Sequence, residues 1–149
     1  MAEFDLSRYT EAQAKDFATA LKEVKEGYKK SHWMWFIFPQ IIGLGQSRTS
    51  ILYSIQNIEE ARAYMQNETL ASNMNEICNA LLELETNDAN GIFGYPDDVK
   101  LQSSMTLFSE ACPDNDVFVK VLEKYFEGKK DTRTLELIGW KTYIDSKES

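Results

Sequence analysis

Histidine is almost missing from this chain of 149 residues, which has only His32. With one imidazole and no nucleophile elbow, no Ser-His-Asp arrangement can be drawn, and no cluster of carboxylates and histidine has metal-ligand spacing. Cysteine is scarce too. Cys78 and Cys112 lie far apart, so both read as reduced residues in or near the core, with neither a disulfide nor a metal role. Long apolar runs are absent: the longest, Trp33 to Phe38, closes at Pro39, far short of a membrane span. Positive charge is in deficit, with 16 Lys+Arg against 24 Asp+Glu, a net charge of −8 and a sequence pI near 4.7. Such a field repels phosphate backbones and anionic lipid surfaces, which argues against nucleic-acid and membrane partners. The basic pairs Lys29-Lys30 and Lys129-Lys130 are flanked by acids and read as solvated surface. The opening residues Met1 to Asp5 lack a basic stretch followed by an apolar run, so the cytoplasm is the expected compartment.

What remains is ample material for a core. Hydrophobic residues make up 43% of the chain and aromatics 12%, enough for one folded domain and too many for a disordered chain. Apolar residues recur at helical spacing, and no segment alternates with period two for long. Thr10-Glu11-Ala12-Gln13 resembles a capping box opening a helix through Phe17, Leu21, Val24 and Tyr28, with Gly27 as a stop. A short buried helix is expected from His32 to Phe38, a turn from Gln40 to Gln46, and a helix capped by Ser47. Asn57 and Asn67 cap the next two, the second with Leu70, Met74, Ile77, Leu81 and Leu84 on one face and a central place in the fold. Ile92-Phe93-Gly94 reads as a small apolar plug. Pro96-Asp97-Asp98 and Pro113 to Asp116 start two more helices, with the two aspartates suited to capping and the macrodipole, and Thr132 to Leu137 forms the last. The fold class is therefore all-α: a single irregular, orthogonal bundle of six to eight mostly short helices over residues 1–139, followed by a partly frayed tail at 140–149.

Three blocks carry the chemistry that is available. Ser31-His32-Trp33-Met34-Trp35-Phe36-Ile37-Phe38-Pro39-Gln40 gathers the histidine and two of the three tryptophans. Indole and imidazole nitrogens need hydrogen-bond partners once buried, so this excess of polar handles hints at a pocket. His32 is the one side chain with an ordinary pKa near neutrality and the weak candidate for proton transfer; a structural histidine at the edge of an aromatic core is the plainer reading. Of Trp33 and Trp35, one is expected in the core while the other is free to stack on a planar ligand. Gly43-Leu44-Gly45-Gln46-Ser47-Arg48 lets backbone amides approach an anion beside a fixed positive charge, although an ordinary turn with a serine cap explains it equally. Lys100, Ser103 and Ser104 share a helix face, with Thr106 nearby. Hydroxyls beside an ammonium suit phosphate or carboxylate recognition, and a lysine-activated serine is conceivable; a polar face turned to water is the simpler alternative.

Ser31 to Gln40 and Gly43-Leu44-Gly45-Gln46-Ser47, together with Glu60-Ala61-Arg62-Ala63-Tyr64, Ile92 to Leu101, Ser103-Ser104-Met105-Thr106-Leu107-Phe108, Lys124-Tyr125-Phe126 and Arg133 to Leu137, resemble the bacterial family called domain of unknown function 1810. The likeness runs from about Leu6 to Leu137 in matching order. It implies an all-helical single domain and no known activity. Some members carry a calpastatin label, but calpastatin inhibits through a largely disordered chain, the physical opposite of this aromatic-rich sequence.

The expectation is a cleft in which His32, Trp33, Trp35, Gln40, Gly43, Gly45, Ser47, Arg48, Lys100, Ser103 and Ser104 hold a small anionic ligand with a planar, nucleotide-derived part. No cofactor and no metal is implied. A hydrolase of nucleotide or ADP-ribose-like linkages and a protein-interaction module without a small-molecule site are the alternatives.

Overall fold

The structure is a computed structural model that describes residues 4–139; the tail assigned to 140–149 lies outside them. Eight helices follow one another: α1 (Ser7–Glu26), α2 (Met34–Ile37), α3 (Arg48–Leu52), α4 (Ile58–Gln66), α5 (Glu68–Glu83), α6 (Ala89–Phe93), α7 (Asp97–Ala111) and α8 (Val117–Phe126). A ninth, α9, occupies residues 132–139. The fold is all-α, and among the described residues the β-structure is an isolated bridge between Ile41 and Ile55. One helix more than expected is present because Ile92 and Phe93 are the buried end of α6 and not a plug.

Caps account for several of the boundaries. Ser47 Oγ accepts from the Ser50 amide, Asn57 Oδ1 from Glu60 and Asn67 Oδ1 from Leu70, each satisfying an amide that has no partner inside its helix. The start of α1 differs from expectation. It begins at Ser7, whose amide donates to Asp5 Oδ1, three residues before Thr10. Gln13 is consequently interior: its amide nitrogen donates to the Phe36 carbonyl and the Tyr64 hydroxyl, and its oxygen accepts from Asn73. A buried glutamine with this many partners ties α1 to α2, α4 and α5, which no local pattern reveals.

Aromatic rings run through the core from α1 to α8. Tyr9 meets Tyr64 edge-on at 5.2 Å, Tyr64 meets Phe108 at 5.2 Å, and Phe108 stacks on Phe118 at 5.5 Å. Each such pair adds roughly 0.5–1.5 kcal/mol to what its burial provides.

The expected central place of α5 holds, since it packs against α1, α4 and α8, and that centre is shared by α7. The latter packs against α4, α6 and α8, and it buries Ser103, Ser104, Thr106 and Ser109 as well as Leu101, Met105, Leu107 and Phe108. Small side chains let neighbours approach from several sides, so α7 lacks the one-sided apolar stripe that α5 shows. The hydroxyl face expected to meet water is instead covered by the chain leading into α9: Thr106 Oγ1 accepts from the Asp131 amide, and Gln102 donates to the Lys129 carbonyl.

Lys29 also departs from its expected solvated position. Beyond Gly27 the Lys29 amide donates to the Ile92 carbonyl, which draws the residue against α6, and its side chain is only 8% exposed. The ammonium donates to the Ser31 carbonyl at 2.6 Å, pairs with Asp97 Oδ2 at 2.9 Å and lies 5.1 Å from the centre of the Trp33 ring. Cys78 is a free, buried thiol and Cys112 a free, half-buried one; burial pushes both up from the ordinary thiol range.

Candidate functional site

The aromatic segment sends its two tryptophans to different places. Trp33 is buried, and its indole nitrogen donates to Glu23 Oε1 at 2.9 Å. Glu23 also accepts from the Lys30 and Ser31 amides and from the Ser31 hydroxyl. Burial pushes this carboxyl up, but four hydrogen bonds to its charged form outweigh that and bring it down to about 2. Trp35, on the short α2, faces a cleft of about 440 Å³.

Three stretches of chain far apart in sequence wall this cleft. Trp35, Gln40 and the turn through Leu44, Gly45, Gln46, Ser47 and Ser50 form one side; Tyr95, Pro96, Val99, Lys100 and Ser103 form the second; Asp131 and Arg133 close the third. The turn is held by the Ile42 amide donating to the Ile55 carbonyl and the Ile55 amide donating to Gln40. Its glycines are sterically required. Gly43 has φ +107°, a conformation L side chains rarely adopt, and a Cβ there would stand 3.1 Å from Leu137 of α9; a Cβ on Gly45 would fall 2.6 Å from Ser50 Oγ.

Lys100 Nζ lies 5.2 Å from the Trp35 ring centre and 3.5 Å from Asp97 Oδ1. Asp97 thus stands between two ammonium groups, each over its own tryptophan, with Lys29 the nearer. One carboxylate cannot neutralise two lysines, so this trio keeps a net positive charge at the cleft wall. Arg133 adds a second cation, loosely paired with Glu136 at 3.4 Å. Asp131 is the carboxylate of the lining. Its Oδ2 accepts from Ser103 Oγ at 3.1 Å and from the Thr134 amide at 3.0 Å, and also from the Thr134 hydroxyl, so it caps α9.

Of the residues expected to meet, Trp35, Gln40, Gly45, Ser47, Lys100 and Ser103 share the cleft. The other five do not line it. His32 and Arg48 are exposed elsewhere, as is Gly43, while Trp33 and Ser104 are in the core. Ser104 Oγ is a buried side-chain oxygen with no hydrogen-bond partner among the described residues. The lysine-activated serine finds no geometry: the Ser103 hydroxyl is directed at Asp131 and the Val99 carbonyl, and Ser104 is sealed from the cleft. Sequence reasoning missed Tyr95, Asp131 and Arg133. The signal for Asp131 was present, since an aspartate three residues before Thr134 is a helix-capping pattern. No group of three or more His, Cys, Asp or Glu side chains that could hold a metal occurs among the described residues, and no helix there is long and apolar enough to cross a membrane.

Fold and cleft together define an all-helical bundle with a polar, aromatic-floored recess beside α7. Residues 3–138 match the family described as Protein of unknown function (DUF1810), and the chain belongs to that family. It is similar to the conserved hypothetical protein Rv1873 from Mycobacterium tuberculosis, known from a crystal structure: 43% of residues are identical, the match covers 91% of this chain and 97% of that one, and the TM-score is 0.89. No curated protein matches the chain.

Proposed function

We propose that the cleft binds a small anionic ligand with a planar, nucleotide-derived part, and that the protein acts as a binding or sensing domain for it in the cytoplasm. The observation that carries this reading is the pairing of Trp35 with Lys100 in a recess where several polar groups are unspent. Among the described residues, Trp35 Nε1, the side-chain amides of Gln40 and Gln46 and the Tyr95 hydroxyl make no hydrogen bond to the protein. A flat apolar wall, a cation and several free donors are the usual makings of a small-molecule site.

A hydrolase on the same ligand class is less well supported. His32 is exposed and outside the lining, and the one lining carboxylate, Asp131, is engaged in capping α9. An interaction module has less behind it still, because Tyr95 and Val99, two of the exposed large hydrophobics, belong to the cleft rim.

A thermal-shift screen against nucleotides, sugar phosphates and small carboxylates tests the proposal, since a ligand of the native state raises the melting temperature by mass action. A dose-dependent rise with a nucleotide that vanishes in Lys100→Ala is the expected outcome. A flat screen, or a rise that Lys100→Ala leaves intact, would sink it.

A further inference from the structure

We infer that Tyr95 is the second wall of an aromatic clamp, so that the ligand's planar part is a heteroaromatic ring held between Trp35 and Tyr95 with its phosphate directed to Lys100. This rests on the function proposed above and narrows it to a ligand class, base-bearing phosphates of the mononucleotide type.

Tyr95 is 80% exposed, so most of its ring faces open space at the rim of the cleft and is available to a ligand. Nine described aromatic residues, from Tyr9 to Phe118, contact one another in the core. Of the described aromatic residues that contact no other ring, Trp35 and Tyr95 are the two that line this cleft. The backbone on either side of Tyr95 is anchored. The Gly94 amide donates to the Asn90 carbonyl, the Asp98 amide to Gly94, and the Lys100 amide to Pro96. The ring is therefore carried at a fixed point on the rim while its side chain is unconstrained. Val99, in the first turn of α7, is also exposed and lines the recess, so the rim is apolar on the side that a base would cover. The cleft's 440 Å³ falls within the usual 300–1,000 Å³ range of small-molecule sites. Bases stack on aromatic side chains with little regard to identity, because each presents a π-face. Lys100 Nζ, 5.2 Å from the Trp35 centre, is within reach of an anion attached to such a ring.

Calorimetric titrations of the full chain with AMP, ribose 5-phosphate and adenosine separate the parts. AMP is expected to bind more tightly than either fragment. Tyr95→Ala is expected to weaken AMP roughly tenfold, within the span that single-base stacking allows, while leaving ribose 5-phosphate unchanged; Tyr95→Phe keeps the wild-type affinity. Tyr28, 59% exposed and outside the cleft, provides the control Tyr28→Ala, which should change nothing. Equal AMP binding by wild type and Tyr95→Ala, or binding of ribose 5-phosphate no weaker than AMP, overturns the clamp and leaves an anion site. Failure of all three probes to bind the wild type overturns both the clamp and the function on which it rests. A matched melting temperature for Tyr95→Ala and wild type excludes unfolding as the cause of any loss.

Discussion

Around Trp33 the buried polar side chains are paired: its indole nitrogen meets Glu23, Glu23 is met by four donors, and Lys29 is held by Ser31 and Asp97. Around Trp35, two residues along the chain, its own indole nitrogen and several neighbouring donors are left open, and the cation over its ring, Lys100, shares its carboxylate with Lys29. Both tryptophans sit under a lysine, and the two lysines share Asp97, so composition does not distinguish the sites. The difference is satisfaction. A closed hydrogen-bond shell makes a polar cluster part of the framework, whereas an open one beside a recess leaves binding capacity.

Breaking the closed side should be expensive. Trp33→Ala empties a large core volume and is expected to cost about 3–5 kcal/mol, read from urea denaturation; a loss below about 1 kcal/mol would place Trp33 with Trp35. Acid comes next. Glu23 is held at about 2 against an ordinary 4.5, so its contribution is fully present above pH 4.5 and is lost as the pH falls from there towards 2. The linkage is on the order of 3 kcal/mol. Glu23→Gln should flatten that part of the stability profile, and an unchanged acid limb in the variant would refute the assignment. Ser104→Ala removes a hydroxyl without a partner and should be neutral or stabilising by up to about 1 kcal/mol; a clear destabilisation would mean that the hydroxyl has found a partner. On the open side, Trp35→Ala is expected to move stability by less than about 1 kcal/mol while abolishing the nucleotide-induced thermal shift. His32→Ala, smallest of all, should change neither stability nor binding by more than about 0.5 kcal/mol, because its side chain is exposed and away from the cleft.

Sequence reading works where the cause is local. Ser47, Asn57 and Asn67 announce their helices because capping involves residues two or three positions apart, and the apolar face of α5 repeats within its own turns. Gln13, Lys29 and the hydroxyls of α7 were misread because what buries them comes from elsewhere in the chain: Phe36 and Tyr64 for Gln13, Asp97 for Lys29, Asp131 for Ser103. The candidate site follows the same rule. Trp35 and Lys100 belong to conspicuous blocks and were read together, whereas Arg133 and Tyr95 reach the cleft through the docking of α9 and the α6–α7 junction. Arg48 was the cation expected from the turn, yet α3 points it outward and Arg133 stands at the cleft in its stead.

The cleft's three walls come from residues 35–50, 95–103 and 131–133, which only the folded chain brings together. A molecule held by all three would act as a removable cross-link, shortening the loops that must open before α9 can lift away from α7. Its earliest signature would accordingly be slowed amide exchange in α9, ahead of any change in the already closed helices α5 and α7.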